Sequence, residues 1–215
     1  MKIDAVSFDM DGTLIRNTDS VRYLCMLNNN LDELERIHRR EDDKNISWIE
    51  ADYLKAKLIK GLDVAEVKNN FVKSIRLIKN IDRVLLHLRE QQIESVLITS
   101  GPTQIVDILG EKFGFDAVYG SEYEVLNNKF TGRILTHLGS AGKLDCLKEY
   151  CTKSGINLKR CVAIGDSESD IAVFKECGKS IAINYSDALR GMASEYIITD
   201  DLFDIAGILK SWLAE

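Results

Sequence analysis

Two aspartates one residue apart, Asp9 and Asp11 in the stretch SFDMDGT, end an apolar run and are followed at once by glycine and threonine. Neighbouring carboxylates repel, so such a pair shares a proton, points into water or faces a cation. Alternate side chains of a β-strand share a face, which puts Asp9 and Asp11 on one side and Met10 on the other. Further along, AIGDSESD ends another apolar run and adds Asp166 and Asp170. Acids gathered without a matching basic cluster call for a hard divalent cation such as Mg²⁺, which takes carboxylate and carbonyl oxygens and keeps water and substrate oxygens besides. On this reading Asp9 and Asp11 face a metal. The alternative for GDSESD alone is a capped turn, with Asp166 as the helix cap.

A third run ends LITSGPT, in which Thr99, Ser100 and Gly101 precede Pro102, the one proline of the chain. Proline favours the first position of a helix, where its missing N–H is not needed. The Ser100 hydroxyl and the Gly101 N–H then stand at a helix N-terminus, a place that suits anions; a plain serine cap with a turn glycine explains the same residues. Lys143 opens a helix after GSAG. By itself it reads as one solvated lysine among many, set against the helix dipole.

The elements that must position these residues follow from the apolar runs IDAVSF, SVLITS, AVYG, CVAIGD, SIAIN and YIITD, which alternate with helical stretches. That alternation predicts an α/β fold, a doubly wound and mainly parallel sheet covered on both faces. Ligands of such sheets sit at the carboxyl ends of the strands, where Asp9, Ser100 and Asp166 fall. More than eighty residues separate the first two runs, far beyond the dozen or so a crossover needs. Within them SWIE and DVAE have capping-box spacing, Gly61 stops a helix between them, and Val64, Val67, Phe71, Ile75 and Ile78 recur at helical spacing. We therefore expect a small α-helical cap over residues 16–79, inserted into a core of residues 1–15 and 80–215, with Asp82 to Gln91 returning to the sheet. YEVLNNKFTGRI predicts a β-hairpin about its Asn-Asn turn.

Composition excludes several classes. The net charge of −6 argues against nucleic-acid or anionic-membrane partners, which are bound by basic faces. RIHRRED, the densest basic cluster, runs into acids and reads as a solvated helix face. No apolar run approaches the roughly 20 residues of a membrane span, and MKIDAVSF does not read as a signal peptide, so a cytoplasmic location is expected. Five scattered cysteines without a CxxC pair read as free thiols of a reducing compartment. Cys146 and Cys151, five apart on a helix, make a poor zinc pair.

Taken in order, DMDGT, TSG, a lysine and GDSESD resemble the motifs of the haloacid dehalogenase superfamily of phosphohydrolases, with its Rossmann-like sheet. The helical insertion after the first motif, and the stretch from AGKLDCLKEY to SIAIN, resemble the phosphoserine phosphatase group within it. The resemblance covers nearly the whole chain and is weakest in the cap. It implies that Asp9 is the nucleophile of an aspartyl-phosphate intermediate, and that Asp11 protonates the leaving alcohol and then deprotonates the attacking water. It further implies Mg²⁺ on the Asp9 carboxylate, the Asp11 backbone carbonyl and Asp166. By the same resemblance Ser100, Gly101 and Lys143 would hold the phosphoryl oxygens, and Asp170 would orient Lys143 or a metal-bound water. The partner is then a small phosphorylated metabolite and the enzyme a monomer or homodimer.

The chain departs from the group where substrate identity is decided. The cap glutamate that takes the serine ammonium falls on Thr18 here, next to Asp19, and the arginine for the serine carboxylate is replaced by lysine, Lys55 or Lys57. Asp19 and Lys55 are the nearest candidates for those two charges. Phosphoserine leads, with a sugar phosphate or another small phosphomonoester, or a phosphomutase reaction, as the alternative. A receiver domain of a signalling relay also combines aspartates, a hydroxyl and a lysine, but it is much shorter and lacks a large insertion after the first strand.

Overall fold

The computed structural model describes residues 2–214. Strand β1 (Ala5–Phe8) is followed by helices α1 (Ser20–Leu27), α2 (Leu31–Asp42), α3 (Trp48–Leu58), α4 (Val64–Ser74) and α5 (Ile81–Glu90). Next come β2 (Glu94–Pro102), α6 (Thr103–Phe113), β3 (Ala117–Leu126), β4 (Lys129–Thr136), α7 (Ser140–Ser154), β5 (Cys161–Gly165), α8 (Ile171–Glu176), β6 (Lys179–Ile183), β7 (Glu195–Ile197) and α9 (Ile205–Ala214). The strands form one sheet in the order β4-β3-β2-β1-β5-β6-β7, parallel at every pairing except β3 with β4. From β1 the chain moves outward through β2, β3 and β4, then returns by α7 to β5 on the other side of β1, so β1 lies at the switch point where open α/β sheets bind ligands.

Every apolar run became a strand because both faces of the sheet are covered. Ile98 and Val96 pack with α7 and α8 residues such as Leu147 and Phe174. Leu97, between them, packs on the opposite side with Leu85, Ile105 and Trp212 of α5, α6 and α9. Strand alternation alone sends neighbours to opposite cores. The expected hairpin is β3 and β4, with Asn127 and Asn128 both at positive φ, the backbone that a tight hairpin turn demands. Free Cys151, Cys161 and Cys177 lie buried in the α7–α8 core.

The insertion is helical from Ser20 onward, earlier than its sequence signals reveal. Ser47 and Glu50 form the capping box of α3, and Asp63 caps α4 through the Ala65 and Glu66 N–H groups. Asn28 and Asn30 both donate to the Leu58 carbonyl, tying the α1–α2 turn to the end of α3. Tyr23 of α1 meets Phe71 of α4 edge to face, with 5.2 Å between ring centroids. In RIHRRED Ile37 is buried, while Arg36, Arg39 and Arg40 lie on the solvated face of α2. Among the described residues no helix is long and apolar enough to cross a membrane.

Candidate active site

Strand β1 stops at Phe8, so Asp9 and Asp11 share one side of the sheet edge for a reason other than strand alternation. The Asp9 N–H still pairs with the Ile164 carbonyl, after which the chain turns: the Leu14 and Ile15 N–H groups both bond the Met10 carbonyl. Gly12 makes that turn at φ +81°, left-handed backbone that glycine adopts without strain. A Cβ at Gly12 would also overlap the Asp166 carboxylate. Gly12→Ala should therefore cost about 1 to 2 kcal/mol in backbone strain alone and push Asp166 out of place. Thermal unfolding and Mg²⁺ titration of the variant check this; unchanged melting and metal affinity would contradict it.

The two aspartates are held by different partners. Asp9 is 5% exposed, and its Oδ1 accepts from the Lys143 ammonium at 2.5 Å. Asp11 accepts from the Ser20 N–H at 2.7 Å and the Ser20 hydroxyl at 2.5 Å, at the start of α1. Burial pushes the Asp9 carboxyl up to about 6, against the pull of Lys143 and with Asp170 adding to the rise. Burial pushes Asp11 higher, to about 8, helped by the negative charge of Asp19. Both shifts favour the protonated form, and Asp11 is driven further than Asp9. Two carboxyls whose environments drive their pKa values apart are suited to different roles.

Lys143 is not the solvated lysine that its local sequence suggests. It is 1% exposed, and besides Asp9 its ammonium donates to Asp170 Oδ1 at 2.8 Å and to the Ser169 hydroxyl at 2.9 Å. Burial works against its charge, yet Asp170 and Asp9 outweigh that and raise its pKa. The first turn of α7 carries it there, docked by the Ala172 N–H donating to Ser140 Oγ. Asp170 uses its second oxygen to accept from the Asp166 and Ser167 N–H groups, which fixes the loop after β5.

Carboxylate oxygens of Asp9, Asp166 and Asp170 lie within 4.8 Å of one another. Asp166 Oδ1 is buried and has no hydrogen-bond partner in the protein, while burial and the charges of Asp9 and Asp170 raise its pKa well above the usual carboxylate value. An orphaned carboxylate oxygen facing further acids fits a hard divalent cation. The Asp11 carboxylate, turned to Ser20, stands outside this cluster. Of the expected ligands, Asp9 and Asp166 are brought together here; the third expected is the Asp11 backbone carbonyl rather than its carboxylate, and the Asp170 oxygens are taken by Lys143 and by the Asp166 and Ser167 N–H groups.

Ser100 and Gly101 lie on the same cavity, but α6 begins at Thr103 and Pro102 is its N-cap rather than its first helical residue. Pairing of β2 with β3 loses register between Ile98 and Pro102, which re-aims this edge. The Ser100 hydroxyl donates to the Leu138 carbonyl at 2.5 Å and the Gly101 N–H to Thr99 Oγ1 at 2.9 Å.

These groups floor a cavity of about 260 Å³ whose far wall comes from α1, α2 and α3. Asp19 and Lys55, the cap candidates, both line it; Lys57 is not among the lining residues. Asp19 also caps α1 by accepting from the Arg22 N–H. The sequence reading passed over Ser20, Ser169, Glu41, Trp48 and Asp52. Ser20 and Ser169 sit beside residues that were singled out, but nothing local distinguishes them from ordinary capping serines.

The sequence model of the haloacid dehalogenase-like hydrolases matches residues 6–175. A phosphoserine phosphatase of Archaeoglobus fulgidus is 29% identical over 206 residues, 95% of this chain and 59% of that protein. One from Streptomyces coelicolor is 24% identical over 87% of this chain and 46% of its own length. The chain thus spans less than two thirds of these two relatives. It spans 97% of the phosphoserine phosphatase of Methanocaldococcus jannaschii, at 24% identity. Among solved structures, one described as a phospho-aspartyl intermediate analogue of phosphoserine phosphatase superposes with a TM-score of 0.85, at 23% identity over 97% of this chain and 99% of that one. That likeness establishes the fold. The matched span runs from β1 into α8 and takes in both acidic loops and the Lys143 helix, and the chain belongs to the haloacid dehalogenase-like hydrolase family.

Proposed function

We propose that the protein is a Mg²⁺-dependent phosphomonoester hydrolase of the phosphoserine phosphatase type, working through an aspartyl-phosphate at Asp9. The observation that carries this reading is the buried Asp9 carboxylate, held by Lys143 on one side of a cavity that Asp11 also enters. Relatives named phosphoserine phosphatase over nearly the whole chain support it. Residues 16–79 act as the cap that encloses the alcohol part of the substrate, and residues 1–15 and 80–215 form the catalytic core. The free buried thiols suit a reducing compartment, and we place the enzyme in the cytoplasm.

Asp9 attacks phosphorus, and the bond to the alcohol oxygen breaks as the bond to the carboxylate forms, which divides one slow displacement into two faster ones. Asp11, whose raised pKa favours the protonated form, gives its proton to the departing alcohol. The same carboxylate then takes a proton from the water that opens the aspartyl-phosphate, returning both side chains to their starting forms. Ser20 holds Asp11 in position for both transfers. Lys143, with Ser100 and the Gly101 N–H, binds phosphoryl oxygens that carry charge in the transition state, and Asp170 with Ser169 keeps the lysine in place. Asp9, Asp166 and the Asp11 carbonyl would hold Mg²⁺, which when bound offsets the repulsion between an anionic nucleophile and an anionic phosphate.

Release of inorganic phosphate from a panel of small phosphomonoesters tests the reading; no release from any member would overturn it. Asp11→Asn cannot supply a proton, and general acid catalysis contributes about 10²- to 10⁴-fold. Turnover of alkyl phosphates should fall by that order and that of aryl phosphates, whose leaving groups need less help, by much less. The wild-type enzyme should lose rate on alkyl phosphates as alkali deprotonates Asp11, and the variant should lack that limb. Equal losses on both substrate types, with the limb retained, would remove Asp11 from the role.

A further inference from the structure

The alcohol end of the cavity is acidic in its own right. At the alcohol end the wall carries the carboxylates of Asp19, Glu41 and Asp52, with Val21 and Trp48 as apolar surface. Among the described residues that line the cavity, Lys55 carries the one positive charge. That charge is already committed: the Lys55 ammonium lies 3.0 Å from Glu41 Oε2 and 3.4 Å from Asp52 Oδ1, with its side chain 11% exposed. Burial disfavours its charge, but Asp52, Glu41 and Asp19 outweigh the penalty and hold its pKa above the usual lysine value. Three carboxylates face the Lys55 ammonium, and Asp52 also meets His137 Nε2 at 2.9 Å, so the acids of this wall outnumber its bases.

An amino-acid phosphate would bring its own carboxylate to that wall. The carboxylate would have to pull Lys55 away from Glu41 and Asp52, leaving Glu41 without its partner and Asp52 with His137 alone, and would then lie among like charges. A cationic group meets the opposite situation: excess negative charge and an indole at hand, the two surfaces that attract ammonium groups. We infer that the alcohol part of the substrate ends in an ammonium cation and carries no carboxylate, so that the enzyme takes an aminoalkyl phosphate. The inference rests on the phosphomonoesterase reading above and narrows its substrate class. Glu41 and Asp19, which belong to the insertion rather than the core, are the groups that set the preference.

Three compounds isolate the point, because they differ only in charged substituents: phosphoethanolamine, phosphoserine, which adds a carboxylate, and 3-phosphonooxypropionate, which has the carboxylate without the amine. With Mg²⁺ present, kcat/KM should be at least about tenfold higher for phosphoethanolamine than for phosphoserine, a difference of about 1.4 kcal/mol, and lowest for the propionate. Glu41→Gln and Asp19→Asn, the latter able to keep the α1 cap, should each narrow the ratio between the first two, chiefly through KM. An aryl phosphate serves as the reference for the core chemistry. Aryl hydrolysis with phosphoserine turned over as well as or better than phosphoethanolamine would overturn the inference and leave the phosphatase reading standing. A preference that neither variant narrows would remove Glu41 and Asp19 from it, and with them the inference. No hydrolysis of any of the four compounds would overturn both.

Discussion

Asp9→Asn should reduce phosphate release by more than about a thousandfold, since the loss of a nucleophile that works as one unit with its partners is of that order or larger. Asparagine has nearly the shape of aspartate, so the β1 edge and the Asp9 N–H bond to Ile164 remain. What is lost is the negative oxygen that balances Lys143 and that we propose as the nucleophile. The variant should stay folded, because removing one of several crowded acids relieves repulsion even as it weakens the lysine pair. Circular dichroism should therefore match the wild type while turnover disappears. Turnover within tenfold of the wild type would mean that water attacks the substrate directly.

Removing divalent cations should have the second largest effect. Asp9, Asp166 and Asp170 crowd their oxygens within 4.8 Å, and among the described residues Lys143 is the cation that pairs with two of them. A phosphate dianion has no reason to approach that cluster unless more positive charge is present. Metal charge at a developing phosphoryl transition state is worth several kcal/mol, so a chelator should lower the rate by at least about a hundredfold. Mg²⁺ should restore it. Ca²⁺ should restore little, because it takes six to eight ligands at longer distances and allows a different placement of Asp9. Full activity in the presence of chelator would contradict a metal held by Asp9 and Asp166.

The strands were legible because each is a short apolar run bounded by turn residues, and the hairpin because two asparagines accept positive φ. Caps at Ser47 and Asp63 announced α3 and α4. Helices α1 and α2 were harder to place, since α1 is short and α2 buries only Leu34 and Ile37. The environment of Lys143 could not be read locally. Its three partners lie 134, 26 and 27 residues away in the chain, and only the sheet brings them together. The same holds for the cap wall, where the pairing of Lys55 with Glu41 joins α3 to α2 and alters what a lysine at that position can bind. Pro102 shows the limit of a turn signal: a fixed φ suits the N-cap as it suits the first helical residue, and the break in β2 register moved the helix start by one position.

Trapping the covalent intermediate tests the central claim most directly. Enzyme mixed with Mg²⁺ and a phosphomonoester labelled in its phosphoryl group, then quenched in acid, should retain label on the tryptic peptide of residues 3–16. Borohydride reduction of that acyl phosphate should convert Asp9, and not Asp11, to homoserine. Asp9→Asn should retain none. Label on Ser100 or on a histidine, or equal label on the variant, would contradict an aspartyl-phosphate at Asp9.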